Sequence, residues 1–162
     1  RLEASPTSRA SILTGKALVA YIMQTVQITV VLVLGAAIFG YRPKGSLIAL
    51  MAVLLSFSAV LSALGVAIAL WSHSRDAALS MSNIVGMLAA GIGGAFCTVP
   101  SFPDWAQHAA RLSPAYWANA AINKVSLDGL GFADIAPQIG ALLGFFATFA
   151  ALALIKFRYH KE

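Results

Sequence analysis

Charged residues divide the chain into long apolar segments. Four windows contain no Asp, Glu, Lys or Arg, and they cover residues 17–41, 45–74, 77–103 and 135–155. These windows are 25, 30, 27 and 21 residues long, and about 20 apolar residues are enough to cross the hydrocarbon core of a bilayer as a helix. The pattern therefore predicts an all-α protein, a polytopic membrane helix bundle.

The windows predict four transmembrane helices, at residues 17–39, 46–71, 77–97 and 137–155. Only short polar connections separate the first three, so each of these helices should pack antiparallel to the one before it. The other segments are predicted to be a cytoplasmic segment at residues 1–16, an outer connection at 98–136 and a basic tail at 156–162.

The outer connection contains start signals for two short helices. Pro103 and Asp104 favour the first, because proline suits the first helical turn and a carboxylate suits the positive end of the helix dipole. Ser113 as N-cap and Pro114 as first helical residue favour the second. We expect these helices to lie at the interface or to re-enter the bundle from the outer surface, as a seal with a polar exit or only as a cap.

The distribution of basic residues predicts the orientation in the membrane. With four crossings both ends lie on one side, which holds seven basic residues against four on the other. The seven are Arg1, Arg9, Lys16, Arg75, Lys156, Arg158 and Lys161, and the four are Arg42, Lys44, Arg111 and Lys124. The positive-inside rule therefore predicts that both ends are cytoplasmic.

Composition agrees with a membrane protein and argues against nucleic-acid binding. Hydrophobic residues make up 59% of the chain and charged residues 10%, whereas soluble domains carry about 25% charged residues. The net charge is +5, but the basic residues are scattered and do not alternate with aromatic ones as in a nucleic-acid groove. The single cysteine, Cys97, excludes an internal disulfide.

Motifs for catalysis are missing from the sequence. It contains no HExxH zinc pair, no GxSxG nucleophile elbow and no GxxxxGK[ST] phosphate loop. His73, His108 and His160 lie far apart in the sequence. If the protein uses nucleotide energy, another chain must supply the nucleotide site.

The run Leu2-x-Ala4-Ser5-Pro6-x-Ser8-Arg9-x-x-Ile12-x-x-Gly15-Lys16 resembles the cytoplasmic segment of ABC transporter permeases of the type-2 (ABC-2) export class. In that family a short coupling helix leads into the third of six membrane helices. Leu112-Ser113-Pro114-x-x-Trp117 is similar to the outer segment after the fifth helix of the family. The resemblance covers nearly the whole chain and implies the C-terminal part of a six-helix subunit, with two helices upstream.

The resemblance implies a transport subunit with a partner ATP-binding cassette ATPase, which would hold ATP and Mg. Two permease subunits, as a homo- or heterodimer, would form an export path for drugs, lipids or glycans through a bacterial plasma membrane. The residues implied to contact the ATPase are Leu2, Glu3, Ser5, Pro6 and Arg9. Substrate-path candidates are Gln24, Gln27, Ser58 and Asn83, and the implied outer gate is Ser113, Pro114, Tyr116, Trp117 and Asn119.

Two other classes of function remain open at this point. One is a membrane-embedded enzyme, for which Ser113, His108 and Asp104 are the residues to test. The other is a passive channel or scaffold without ATP coupling. For Gln24 and Gln27, which share one helical face, the alternative to a substrate contact is hydrogen bonding between helices.

Overall fold

The computed structural model describes residues 9–40, 44–95 and 99–159. Within these ranges the chain is helical and contains no strand, which confirms the predicted all-α fold. The helices are α1 (Arg9–Phe39), α2 (Leu47–Trp71), α3 (Arg75–Ile92), α4 (Asp104–Ala110), α5 (Pro114–Ser126) and α6 (Ala136–Tyr159), with single 3-10 turns at Val99–Ser101 and Ala133–Ile135.

Three of the described helical segments are long and apolar enough to cross a membrane. They are Ser11–Ile38, Leu47–Trp71 and Ala133–Phe157. Helix α3 has 18 residues, with Arg75 and Asp76 in its first turn, and at 1.5 Å per residue it is about 27 Å long against a core of about 30 Å. The predicted count of four spans is therefore not confirmed.

One glycine with a left-handed backbone explains why α3 ends before the predicted boundary at residue 97. Gly94 adopts a positive φ of 87°, which glycine reaches without the steric cost of a Cβ atom. The Ala95 N–H donates to the Ala90 carbonyl (3.0 Å) and the Gly94 N–H donates to the Gly91 carbonyl (3.4 Å). This is the Schellman arrangement that ends helices.

Helix α2 is the centre of the bundle. It packs against α1, α3, α5 and α6, and Ala49, Val53 and Val60 on it are fully buried. Its contact with α1 includes a hydrogen bond from the Ser62 hydroxyl to the Ala17 carbonyl (3.0 Å).

The outward face of α1 is apolar and uncovered within the described chain. Met23 is 66% exposed and Ile38 is 71% exposed. Soluble monomers rarely expose continuous apolar surface on this scale, because it is unfavourable in water. This face is stable in an apolar environment, such as lipid or the side of a neighbouring helix.

Helix α5 packs against both α2 and α6 although it has only 13 residues. Its buried face is formed by Pro114, Ala118, Ala121 and Val125, whose spacing of three and four residues gives one helical stripe. The small alanine side chains allow the backbones to approach closely.

The connection before α2 holds the C-terminal end of α5. The Lys44 N–H donates to the Ser126 carbonyl (3.2 Å), one of the carbonyls that a helix leaves unpaired at its end. Gly45 packs directly against the backbone of α5, since an added Cβ would overlap the Val125 carbonyl oxygen and lie 2.8 Å from that of Leu130. The end of α5 and the start of α2 therefore lie in backbone contact.

We expect Gly45→Ala to lower the free energy of unfolding by about 1–3 kcal/mol, because the added methyl group must displace backbone atoms. Thermal or denaturant unfolding of the purified protein in detergent measures the change. Gly65→Ala is the matched control, since no atom outside its own helix lies within 4 Å of the added Cβ. Equal stability of the two variants would contradict the close contact.

Candidate functional site

The start of α5 is attached to the end of α3. The Ser113 hydroxyl donates to the Ala89 carbonyl (2.7 Å) and also caps α5 by accepting from the Ala115 N–H (3.3 Å). The Asn119 side-chain Nδ2 donates to the Gly93 carbonyl (3.1 Å). The Ala89 carbonyl also accepts from the Gly93 N–H (2.9 Å), whereas the Gly93 carbonyl lies beyond the last helical residue and needs a partner from outside the helix. The two side chains join the two helices.

Gly93 allows this approach. A Cβ atom at residue 93 would lie 2.6 Å from the Ala115 Cβ and 2.9 Å from the Tyr116 nitrogen. The residue before the left-handed Gly94 is therefore restricted to glycine by packing.

A cavity of about 400 Å³ lies at this junction of α3, α4 and α5. Its lining residues are Gly93, Gly94, Val99, Pro100, Gln107, Tyr116, Asn119, Ala120 and Asn123. The polar groups among them are three amides and one phenol, and no residue in the lining is charged. The volume falls in the range of about 300–1,000 Å³ typical of ligand sites.

Two of the amides in the lining have a defined role in the wall. The Gln107 Nε2 donates to the Phe102 carbonyl (2.9 Å), as the Asn119 Nδ2 does to Gly93. Each of these amides therefore uses an N–H to hold backbone in place, which keeps its acceptor oxygen available for a donor on a ligand. The arrangement suits an uncharged group that carries hydroxyl or N–H donors.

The five residues predicted to form an outer gate lie together in the N-cap and first two turns of α5. Ser113 and Pro114 are buried, whereas Tyr116, Trp117 and Asn119 are half-buried. The Tyr116 and Trp117 rings meet edge to face at 5.4 Å, and the Trp117 Nε1 donates to the Arg111 carbonyl (2.9 Å). Tyr116 and Asn119 line the cavity, while gating by this group stays a prediction.

The four predicted substrate-path residues do not line this cavity. Gln24 is half-buried and Gln27 is exposed on α1, and Asn83 is exposed on α3. Ser58 is 0% exposed, and its hydroxyl finds no hydrogen-bond partner among the described residues. A substrate could reach Ser58 only if α2 and its neighbours moved apart, and the role of all four stays a prediction.

Most of the predicted ATPase contact lies outside the described residues. Four of the five predicted contact residues precede the first described residue, namely Leu2, Glu3, Ser5 and Pro6. The fifth, Arg9, is the first residue of α1. Helix α1 thus connects the predicted contact segment directly to the bundle. The contact itself stays a prediction.

The residues proposed for a hydrolase do not form a nucleophile and base pair in the described part of the chain. Both described side-chain bonds of Ser113 are to backbone groups, and Asp104 and His108 are exposed. A serine nucleophile needs a base within hydrogen-bond reach. The described residues also contain no group of three His, Cys, Asp or Glu side chains that could hold a metal ion.

One polar contact, between α5 and the start of α6, was not predicted from the sequence. In the amide orientation that satisfies both of its groups, Gln138 accepts from the Lys124 Nζ (3.0 Å) and donates to the Ile135 carbonyl (3.3 Å). Gln138 is buried, so the pair gives a buried amide its partners and joins α5 to α6. A glutamine just after Pro137 at a helix start was the only available signal.

Comparison with protein families assigns almost the whole chain to one of them. The matching family is described as ABC-2 family transporter protein, and the match covers residues 1–155. Comparison with curated proteins finds no match, and neither does comparison with solved structures.

We expect Ser113→Ala to lower the free energy of unfolding by about 1–2 kcal/mol, because both the cap and the bond to Ala89 are lost. Hydrogen exchange should also quicken in the last turn of α3. Thr148→Ala is the matched control, since its hydroxyl bonds only to Gly144 within the same exposed stretch of α6. Unchanged exchange in α3 would show that Ser113 does not hold the two helices together.

Proposed function

This chain belongs to the ABC-2 family of transporter proteins, and from that membership we propose that it is the export permease of an ATP-driven transporter. It is an integral membrane component of an ABC transporter system, which implies a partner ATPase. The finer proposal is that closure of the ATPase on ATP drives substrate outward. The observation that carries it is the family match over residues 1–155.

The placement of the helices supports a mechanical coupling. Residues 9–16 of the proposed contact segment form the first turns of α1, and α1 packs along the central helix α2. Helix α2 in turn packs against α5, whose first turns border the cavity. A displacement of α1 at the ATPase would therefore reach the cavity through packed helices, which transmit strain because they are close-packed.

The cavity at the junction of α3 and α5 is the proposed exit. It lies at the end of the bundle that contains the connection between α1 and α2, which the positive-inside rule places outside. Its uncharged amide and phenol groups favour the passage of a neutral polar group of a drug, lipid or glycan. Two permease subunits, identical or different, would complete the path.

We expect liposomes that contain the full-length permease and its ATPase to show ATP-dependent transport, and Glu3→Arg to abolish that transport while the permease remains inserted. The reason is that charge reversal replaces attraction at the proposed contact with repulsion. Asp76→Arg is the matched control, because Asp76 is an exposed acid at the start of α3 outside the contact segment. Normal transport by Glu3→Arg would show that residues 1–16 do not form the contact with the ATPase.

A bulky substitution in the cavity wall tests the proposed exit independently of the ATPase contact. We expect Ala120→Phe, which adds a ring to the cavity lining, to reduce transport at least severalfold while ATP hydrolysis continues. Ala77→Phe on the exposed surface of α3 is the control. If the Ala120 variant transports as fast as the Ala77 variant, substrate does not leave through this cavity.

A further inference from the structure

An apolar groove lies at the end of the bundle opposite the cavity. It has a volume of about 390 Å³ and runs between α2, α3 and α6. Every residue that lines it is apolar, and the set is Leu64, Ala67, Ile68, Trp71, Met81, Phe149 and Leu152. Such a lining accepts hydrocarbon, and the one polar side-chain group in it is the Trp71 indole N–H.

The mouth of the groove combines an aromatic ring with a positive charge. The Lys156 ammonium lies 5.0 Å from the centroid of the Trp71 ring. Trp71 is held at this place by a hydrogen bond from its Nε1 to the Leu152 carbonyl (3.4 Å), and its side chain is 53% exposed. Tryptophan and lysine are the residues that sit at the headgroup level of a bilayer.

A second cation lies at this end of the bundle. Arg75 begins α3 next to the end of α2. Asp76 is the one acidic residue described at this end, and the partner described for Lys156 is the neutral indole ring. The end is therefore positive, and a negative headgroup would complement it.

We propose that this groove binds one anionic phospholipid, with an acyl chain between α2, α3 and α6 and its phosphate against Lys156. The two halves of the site match the two halves of the ligand, since the slot is wholly apolar and its mouth is cationic. Anionic lipids are enriched in the cytoplasmic leaflet, the leaflet in which the proposed orientation places this end. A zwitterionic lipid would gain the acyl-chain contact but would lack the net attraction.

Native mass spectrometry of the full-length permease with its ATPase tests the proposal. The probes are phosphatidylglycerol and phosphatidylcholine with identical acyl chains. We expect Lys156→Gln to weaken the retention of phosphatidylglycerol about fivefold, the loss expected for one cation near an anionic headgroup. Retention of phosphatidylcholine should not change, and Lys156→Arg should retain the preference for the anionic lipid.

Matched variants separate this site from general charge and surface effects. Lys44→Gln removes an exposed lysine at the opposite end and should leave the lipid preference intact. Met81→Trp fills the groove and should reduce retention of both lipids, whereas Met87→Trp changes an exposed residue of α3 outside the groove and should not.

Three results with these substitutions would overturn the proposal. One is an unchanged lipid preference in Lys156→Gln, another is an equal loss in Lys44→Gln, and the third is unchanged lipid retention in Met81→Trp. Disulfide-linked dimers formed in membranes by Met81→Cys would also overturn it, because a second copy would then cover the groove. Lipid retention does not depend on transport, so failure here leaves the proposed export function to its own test.

Discussion

A polypeptide in lipid must pair its backbone polar groups within the protein, because hydrocarbon offers no hydrogen bonds. Helix α5 has 13 residues, too few to cross a bilayer, and both of its ends find partners within the protein. Its C-terminal Ser126 carbonyl accepts from the Lys44 N–H, and its N-cap Ser113 reaches the Ala89 carbonyl of α3. A short helix can enter the bundle here because neighbouring segments meet it at both ends.

The packing follows from these attachments. Helix α5 presents an alanine-rich face to α2 and α6, which brings α2 to the centre. Helix α3 has no fully buried residue, so its contacts with α2 and its attachment to α5 hold it in place. The cavity lies at that attachment, and the apolar groove lies beside the exposed faces of α3 at the other end of the bundle.

Part of the candidate site could be predicted from local signals. Ser113 and Pro114 mark a helix start because an N-cap and a first-turn proline act within a few residues, and the helix begins at Pro114. The position of Asn119 against Gly93 could not be predicted, because its partner lies 26 residues away. The close contact of Gly45 with α5 could not be predicted either, since no local sequence feature distinguishes Gly45 from the other glycines among the chain's 13.

The length and apolar character of the uncharged windows determined that the chain is helical and belongs in a membrane, because burial in lipid depends on the composition of each segment by itself. Capping residues determined several helix starts for the same local reason. Tertiary structure alone decided that α2 is central, that Ser58 is closed off and that Trp71 meets Lys156. These outcomes depend on which helix faces meet across long separations in sequence, and on the close approach that each contact allows.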